Sequence, residues 1–352
     1  MKNILTTLPV IDTLPRNIKI DKDTNIIISG ISQSGKTAFI FNFLEKLEKK
    51  FIYVDCESIE DIDFNKLEKT VQKDSFQIII FDIYENNIRK YLTPFLEMNI
   101  QIIIISWMPI RLVGFKRVNI FPLNFEEFLS FRNSSENVEV SFSKYSKTGG
   151  FPIFAKYSDE FIFQEIKRLM YFALSEFEID IVKNIAKNSG TARTVLNIYN
   201  SLKEKRRISK DKLYDSFNKL LKIGYFSSVQ EYKKPIHKKY YLIDPALQHS
   251  FESERNFLKL FENIVISELF KRNKKGFFYK SIDFFIPREN KGVLSLPFIE
   301  LESLQRRITR NILDFKFLKL KKIEIITMDL ETVFEVANIK IEVIKFTRWA
   351  LL

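Results

Sequence analysis

The sequence predicts an α/β fold whose front part is a parallel sheet, followed by a helical part and a second, smaller α/β part. Three observations carry the parallel sheet. The apolar run Asn25-Ile26-Ile27-Ile28-Ser29 leads directly into the glycine-flanked stretch Gly30-Ile31-Ser32-Gln33-Ser34-Gly35-Lys36-Thr37, with the helix-like Ala38-Phe39-Ile40-Phe41 behind it. Further runs rich in β-branched residues recur at Phe51-Ile52-Tyr53-Val54-Asp55, Gln77-Ile78-Ile79-Ile80-Phe81-Asp82, Gln101-Ile102-Ile103-Ile104-Ile105-Ser106 and Val118-Asn119-Ile120-Phe121. Unbroken apolar runs of this length are what strands covered on both faces look like, and the spacers between them are long enough for crossover helices.

The stretch from Gly30 to Thr37 is a complete G-x-x-x-x-G-K-[ST] phosphate loop in the context that pattern requires, a buried strand before it and a helix after it. Its two glycines let the backbone fold tightly round an anion, so that amide N–H groups and the first helical turn point at phosphates. Lys36 is expected on the β- and γ-phosphates and Thr37 is expected to give its hydroxyl to Mg²⁺. Gly30, Ile31, Ser32, Gln33, Ser34, Gly35, Lys36 and Thr37 are therefore the expected binding set, with ATP and Mg²⁺ as the cofactors.

Ala38 to Lys50 reads as a helix whose closing lysines suit its negative C-terminal end. Asp82 closes the run that begins at Gln77, where a carboxylate either holds Mg²⁺ through its water shell or serves as an ordinary turn residue. The extra run ending at Asp55 precedes it. This order resembles that of the AAA-type ATPases, which add a strand between the loop strand and the aspartate strand. The resemblance implies that Ser106, on the next strand, senses the γ-phosphate. ATPases of this type carry a glutamate directly after the aspartate to orient the attacking water. Here that position is Ile83, which cannot polarise anything, and Glu85 is the nearest substitute. General-base positioning contributes roughly 10²- to 10⁴-fold, so slow or regulated hydrolysis is expected. Arg111 and Arg117 follow the sensor strand and have two readings: phosphate-neutralising groups in cis or in trans, or structural surface arginines.

A chain of 352 residues with 45% hydrophobic and 14% aromatic residues has the length for two or three domains and the material for real cores. A formal charge of +12 favours a polyanionic partner, although a solvated basic surface explains it equally. Cys56 is the only cysteine, which excludes an internal disulfide and a cysteine zinc cluster, and two histidines leave little for metal binding. No apolar run approaches the roughly 20 residues of a membrane span. The N-terminus, with Asp12 and Pro15 soon after a short apolar run, does not read as a signal peptide. A cytoplasmic protein without a membrane partner is expected.

Beyond the loop, the chain resembles the archaeal-type ATPase family: AAA-like P-loop proteins with a winged helix and a C-terminal domain like that of restriction endonucleases. The residues that carry the resemblance are Phe121-Pro122-Leu123-Asn124-Phe125-Glu126-Glu127-Phe128-Leu129, Gly149-Gly150-Phe151-Pro152, Lys239-Tyr240-Tyr241-Leu242-Ile243-Asp244-Pro245, Phe261-Glu262-Asn263-Ile264-Val265 and Thr347-Arg348-Trp349-Ala350-Leu351-Leu352, which in this order span nearly the whole chain. The expected division is a P-loop ATPase domain over 1–148, a helical lid and winged helix over 149–250, and an inactive nuclease-like domain over 251–352. Asn133 to Thr148, rich in Ser, Asn and Lys, is expected to be a loop, and Gly149-Gly150 a hinge.

Asp180 to Lys187 and Ala192 to Lys205 have helical apolar spacing, and a third helix opens at Ser209 with Leu213, Phe217, Leu220 and Leu221 as its stripe. Two strand-like runs, Tyr225 to Val229 and Lys239 to Ile243, complete a winged helix, joined by a loop with Lys233, Lys234, His237 and Lys238. Lys210, Lys212, Lys219 and Lys222 mark the outward face of the third helix. With the hairpin lysines they form either a grip on duplex DNA without sequence preference or a solvated face on a lid or protein contact.

Further on, Glu268, Asp283 and Glu300 resemble the metal-holding acids of restriction-type nucleases, on a helix and on strand-like Ser281 to Ile286 and Phe298 to Glu302. The lysine that such sites need is replaced by Glu302, a charge reversal, so a scaffold without cleavage is expected. The basic stretch from Arg306 to Lys322 reads either as a grip on a partner or as a solvated helix face. The functional expectation is an ATP-binding ATPase acting as a nucleotide-dependent switch, with duplex DNA or a protein as partner.

Overall fold

The computed structural model describes the chain except for residues 1–3, 10–13, 15, 22, 57–61, 84–85, 109, 133–134, 156–160, 205 and 252–255. The chain divides into two compact units. One comprises Met1–Leu123, Phe151–Ile153 and Lys222–Gly224, and the other comprises Asn124–Gly150, Phe154–Leu221 and Tyr225–Leu352.

The first unit is a six-stranded sheet. Its elements are β1 (Ile4–Leu5), β2 (Ile26–Ser29), α1 (Lys36–Glu45), β3 (Phe51–Cys56), α2 (Phe64–Lys73), β4 (Ile78–Ile83), α3 (Thr93–Leu96), β5 (Gln101–Ser106) and β6 (Lys116–Asn119). The spatial order is β1-β3-β4-β5-β2-β6, parallel throughout except for the short β1, which runs antiparallel to β3. The uninterrupted isoleucines have the consequence expected of them, since alternate residues fill two separate layers. Ile26, Ile28, Ile80, Ile103 and Ile105 pack with Phe39, Ile40 and Leu44 of α1, whereas Ile27, Ile52, Val54, Ile79, Phe81 and Ile104 pack with Leu67 and Val71 of α2. Each such side chain contributes about 1.5–3 kcal/mol by leaving water. The sheet is thereby covered on both faces, and the loop follows the C-terminal end of β2.

The second unit carries α4 (Phe125–Arg132), α5 (Val138–Thr148), the last two residues of the short α6 (Pro152–Ala155), α7 (Ile162–Ala173), α8 (Glu176–Lys187), α9 (Val195–Lys203), α10 (Lys210–Ile223) up to Leu221, β7 (Phe226–Glu231), β8 (Lys234–Leu242), α11 (Pro245–Phe251) and α12 (Phe257–Lys271). It closes with β9 (Phe277–Tyr279), β10 (Ile282–Ile286), β11 (Lys291–Ser295), α13 (Leu301–Arg310), α14 (Ile312–Phe317), β12 (Lys322–Thr327), β13 (Thr332–Val336), β14 (Ile339–Lys345) and α15 (Phe346–Trp349). Its eight strands form one mixed sheet in the order β13-β14-β12-β11-β10-β9-β7-β8.

Four local expectations change. The helix after the phosphate loop ends at Glu45, before the lysines at 46, 49 and 50. The expected loop over 133–148 is largely α5: Asn137 caps it by accepting the Glu139 amide at 2.8 Å, and Phe142 and Tyr145 form a buried stripe that the polar composition concealed. The lysine-rich loop of the hairpin is instead strand, turning at Tyr232 and at Lys233 with its left-handed φ of 65°, because both faces of an exposed hairpin tip tolerate charge and no apolar alternation is needed there. Phe298 to Glu302 is not a strand. The strand stops at Ser295, Pro297 offers no amide for a ladder, and Glu300 is the residue before the first turn of α13.

Among the described residues, no helix is long and apolar enough to cross a membrane.

Candidate phosphate-binding site

Strand β2, paired with β5 on one side and β6 on the other, delivers the chain into Gly30, whose φ of 152° is open only to glycine, and a Cβ there would collide with the Ile120 carbonyl. Gly35, at φ 85°, lets the loop turn into α1 against Leu14 and Pro152. The loop is held from outside by Arg16, whose Nη2 donates to the Ser34 carbonyl at 2.6 Å, and the nearby Leu14 is tied to α1 by Asn42, whose Nδ2 donates to its carbonyl at 2.9 Å.

Inside this frame Lys36 curls back onto the loop, its Nζ donating to the carbonyls of Ile31 at 2.9 Å and Gly30 at 3.2 Å. Burial pushes its amine down to about 8, with the charge of Asp82 working against that shift. Thr37 Oγ1 donates to Asp82 Oδ2 at 2.9 Å, and Tyr53 of β3 donates its phenol proton to the same oxygen at 2.7 Å. Burial raises the Asp82 carboxyl above its usual range, opposed by those two hydroxyls and by Lys36. The Ser34 hydroxyl is fully buried and has no hydrogen-bond partner among the described residues. A buried donor left unmet costs about 1–3 kcal/mol, and a bound phosphate oxygen is a group that would meet it. The loop residues thus fit a phosphate chain, and Thr37 with Asp82 fits the place of a hydrated divalent cation.

The other predicted residues of this unit are less open. Ser106 ends β5 between Ser29 of β2 and Ile83 of β4, but it is buried, and its hydroxyl closes a turn by donating to the Met108 carbonyl and accepting the Met108 amide at 3.2 and 3.0 Å. Ile83 lies in the apolar layer on the α2 side with Val54, Cys56 and Phe81. Glu85 lies outside the described residues. Arg117 Nε donates to Ser29 Oγ at 2.9 Å, and that hydroxyl donates to Asn119 Oδ1 at 2.7 Å, tying β6 to the strand that feeds the loop. Burial and the neighbouring charge of Arg111 hold the Arg117 guanidinium below its ordinary range. Sequence reasoning passed over Tyr53 and Arg16. For Tyr53 the signal was available as parity: it stands two residues before Asp55, which pairs in register with Asp82.

In the second unit the three acids are not brought together. Glu268 is fully buried, accepting the Tyr145 hydroxyl at 2.7 Å and the Phe125 amide at 3.1 Å. Asp283 instead meets Lys239 at 3.5 Å and the Ser295 amide at 2.8 Å, its carboxyl pushed up to about 6 by burial and by Glu262. Glu262 joins it through the same Lys239 at 3.0 Å. Glu300 and Glu302 are exposed at the head of α13 because the strand meant to carry them ends early. Among the described residues no group of three or more His, Cys, Asp or Glu side chains is placed to hold a metal.

The lysines proposed for nucleic acid are partly engaged. Lys219 is paired with the buried Glu178 at 2.8 Å and so does not belong to an open outward face, and Lys234 is paired with Glu231 at 3.2 Å. Lys210 lies over the Tyr199 ring, Lys212 over Phe177, and Lys233 over Tyr232 and Phe317. Lys238 is half-buried in β8 opposite Gln230.

No family model matches the sequence. Among solved structures, the chain is similar to a Walker-type ATPase of Pyrococcus abyssi, with a TM-score of 0.46 at 16% identity over 64% of this chain and 90% of that one. It is also similar to Drosophila ORC bound to AT-rich DNA and Cdc6, with a TM-score of 0.20 at 13% identity over 65% and 86% of the two chains. In sequence it is 24% identical to an uncharacterized protein of Haemophilus influenzae, over 71% of this chain and 76% of that protein. It is 26% identical to an uncharacterized protein of Methanocaldococcus jannaschii over 97% of its own length and 90% of the relative's.

Proposed function

We propose that the chain binds ATP with Mg²⁺ and hydrolyses it slowly or under control, as a switch whose nucleotide state sets how the basic rear half engages a partner. The observation that carries this reading is the buried, unmet Ser34 hydroxyl inside a loop whose lysine is already turned inward at 2.9 Å from the Ile31 carbonyl. In this reading the amides from Ile31 to Thr37 cradle the phosphates, and Lys36 exchanges its loop carbonyls for phosphate oxygens. Thr37 and Asp82 hold the cation, which when bound neutralises charge on the transferred phosphoryl group. Turnover is slow because Ile83, buried in an apolar layer, leaves the water-orienting position without a carboxylate. We assign this activity to residues 1–148, a lid and winged helix to 149–250, and a nuclease-like scaffold without cleavage to 251–352. Calorimetry with ATP and Mg²⁺ tests the reading: heat of binding that disappears in Lys36→Ala supports it, and no heat with ATP or GTP in the wild-type chain ends it.

A second reading, a nucleotide-gated grip on duplex DNA, is favoured by one observation. Three successive helices, α8 to α10, lead into a hairpin whose tip exposes Lys233, Lys234 and Ile236. Binding to duplex DNA that weakens steeply with salt and with Lys233→Ala, Lys234→Ala and Lys238→Ala supports it. No retention on DNA at low salt removes it.

A further inference from the structure

We propose that Tyr53 is a positioning residue for the Mg²⁺ of the nucleotide site: its phenol holds the Asp82 carboxylate in the orientation that meets the metal's water shell. The inference rests on the ATP and Mg²⁺ reading above.

Tyr53 comes from β3, the strand on the far side of β4 from the phosphate loop, so nothing in the loop motif points to it. In register it stands beside Ile80, and its side chain reaches diagonally to Asp82 Oδ2 at 2.7 Å. The aim of the ring is set by packing. It is buried and meets Phe41 of α1 edge-on, with centroids 5.1 Å apart and planes at 60°. Phe41 is four residues beyond Thr37 on the same helix, so the helix that presents one hydroxyl to Asp82 also fixes the direction of the other.

Thr37 and Tyr53 both donate to Oδ2, while Oδ1 accepts no hydrogen bond from any described residue. The carboxylate therefore has one oxygen tied from two sides and one left for a further donor, the arrangement a metal-bound water requires. Asp55 pairs in register with Asp82 on the neighbouring strand. Without the Tyr53 phenol, Thr37 is the hydrogen-bond donor that remains on Asp82 among the described residues, beside the charge of Lys36.

The test is calorimetry of ATP binding to the full chain, in EDTA and in excess Mg²⁺. Tyr53→Phe keeps the edge contact with Phe41 and removes only the hydroxyl. ATP affinity in EDTA is expected to stay within about twofold of wild type, while the gain in affinity that Mg²⁺ brings falls roughly tenfold, the worth of one hydrogen bond to a charged group. Asp82→Asn is expected to remove most of that gain, and Tyr53→Leu, which also loses the ring packing, is expected to lower affinity in both buffers. A Tyr53→Phe variant with an undiminished Mg²⁺ gain overturns the proposal, as does one that loses affinity equally with and without the metal. Wild-type protein that takes up no ATP in either buffer defeats the nucleotide reading itself, and this inference with it.

Discussion

The Gly150 amide donates to Asp244 Oδ2 at 2.8 Å, and Gly149, at φ 71°, lies so close to the same carboxylate that a Cβ there would collide with it. Asp244 is fully buried, with Lys271 at 3.8 Å as its counter-charge. The glycine pair in the second unit is thus a docking point for an aspartate about a hundred residues on.

Removing that carboxylate leaves buried donors unmet. Asp244→Ala takes the acceptor from the Gly150 and Ala246 amides, while Lys271 keeps the charge of Glu268 nearby, and the expected loss is about 1–3 kcal/mol. Gly149→Ala is expected to be destabilising through collision and a backbone angle closed to alanine. Chemical denaturation of the purified chain measures both, and a loss below about 1 kcal/mol for Asp244→Ala contradicts this account.

At the phosphate loop, Gly30→Ala and Lys36→Ala should separate. The first forces a Cβ into the Ile120 carbonyl and is expected to lower the thermal midpoint together with ATP binding. The second removes an amine whose charge the fold already disfavours, as its depression to about 8 indicates, so binding is lost while the thermal midpoint holds. A Lys36→Ala chain that melts as early as Gly30→Ala shows that the lysine braces the loop in its own right.

Restoring a glutamate at the water-orienting position is expected to fail. Ile83→Glu places a carboxylate in an apolar layer with Val54 and Phe81, where ionisation costs several kcal/mol, so stability falls and turnover does not rise. Glu85→Gln is expected to lower turnover and leave ATP affinity unchanged. Phosphate-release assays beside binding isotherms decide both, and normal turnover in Glu85→Gln assigns the water to another group.

The pH dependence of stability carries a contribution from Asp283. Its carboxyl rises from an ordinary 3.8 to about 6 on folding, because burial and Glu262 oppose its charge. The folded state therefore holds that proton more tightly. The contribution is fully present below about pH 4 and is lost as the pH climbs through about 6. Asp283→Asn is expected to lose less stability than the wild type between pH 4 and pH 7, measured by denaturant midpoints. Parallel curves for the two proteins contradict the assignment.

What could be read in advance follows from physical signal strength. Unbroken isoleucine runs such as Ile78 to Phe81 and Ile102 to Ile105 announced strands covered on both sides; the loop spacing drew attention to Gly30, Lys36 and Thr37, and the acid closing the run from Gln77 drew attention to Asp82, which Thr37 meets in the structure. Helix α5 was hidden because Ser141 and Ser146 are buried in it beside Phe142 and Tyr145, and serine reads as loop. The convergence of Glu268, Asp283 and Glu300 failed for a different reason: residues on three elements meet only if strand lengths permit, and Pro297 shortened one. Several residues quoted for the family resemblance, among them Phe125, Gly150, Asp244 and Trp349, form buried polar ties within the second unit, with the Trp349 indole donating to Glu324 at 3.1 Å.

The pairing of Gln230 and Glu231 in β7 with Phe277 and Phe278 in β9 makes the hairpin and the last hundred residues parts of one ladder. A fragment cut near residue 250 would keep α8 to α10 and the hairpin, yet it would bare the flank of β7 and release Lys239 and Tyr241 from Glu262. An uncapped strand flank of that kind recruits other chains, so expression of the middle segment alone is expected to yield aggregates, and any dissection of this protein has to carry α12 and β9 along with the hairpin.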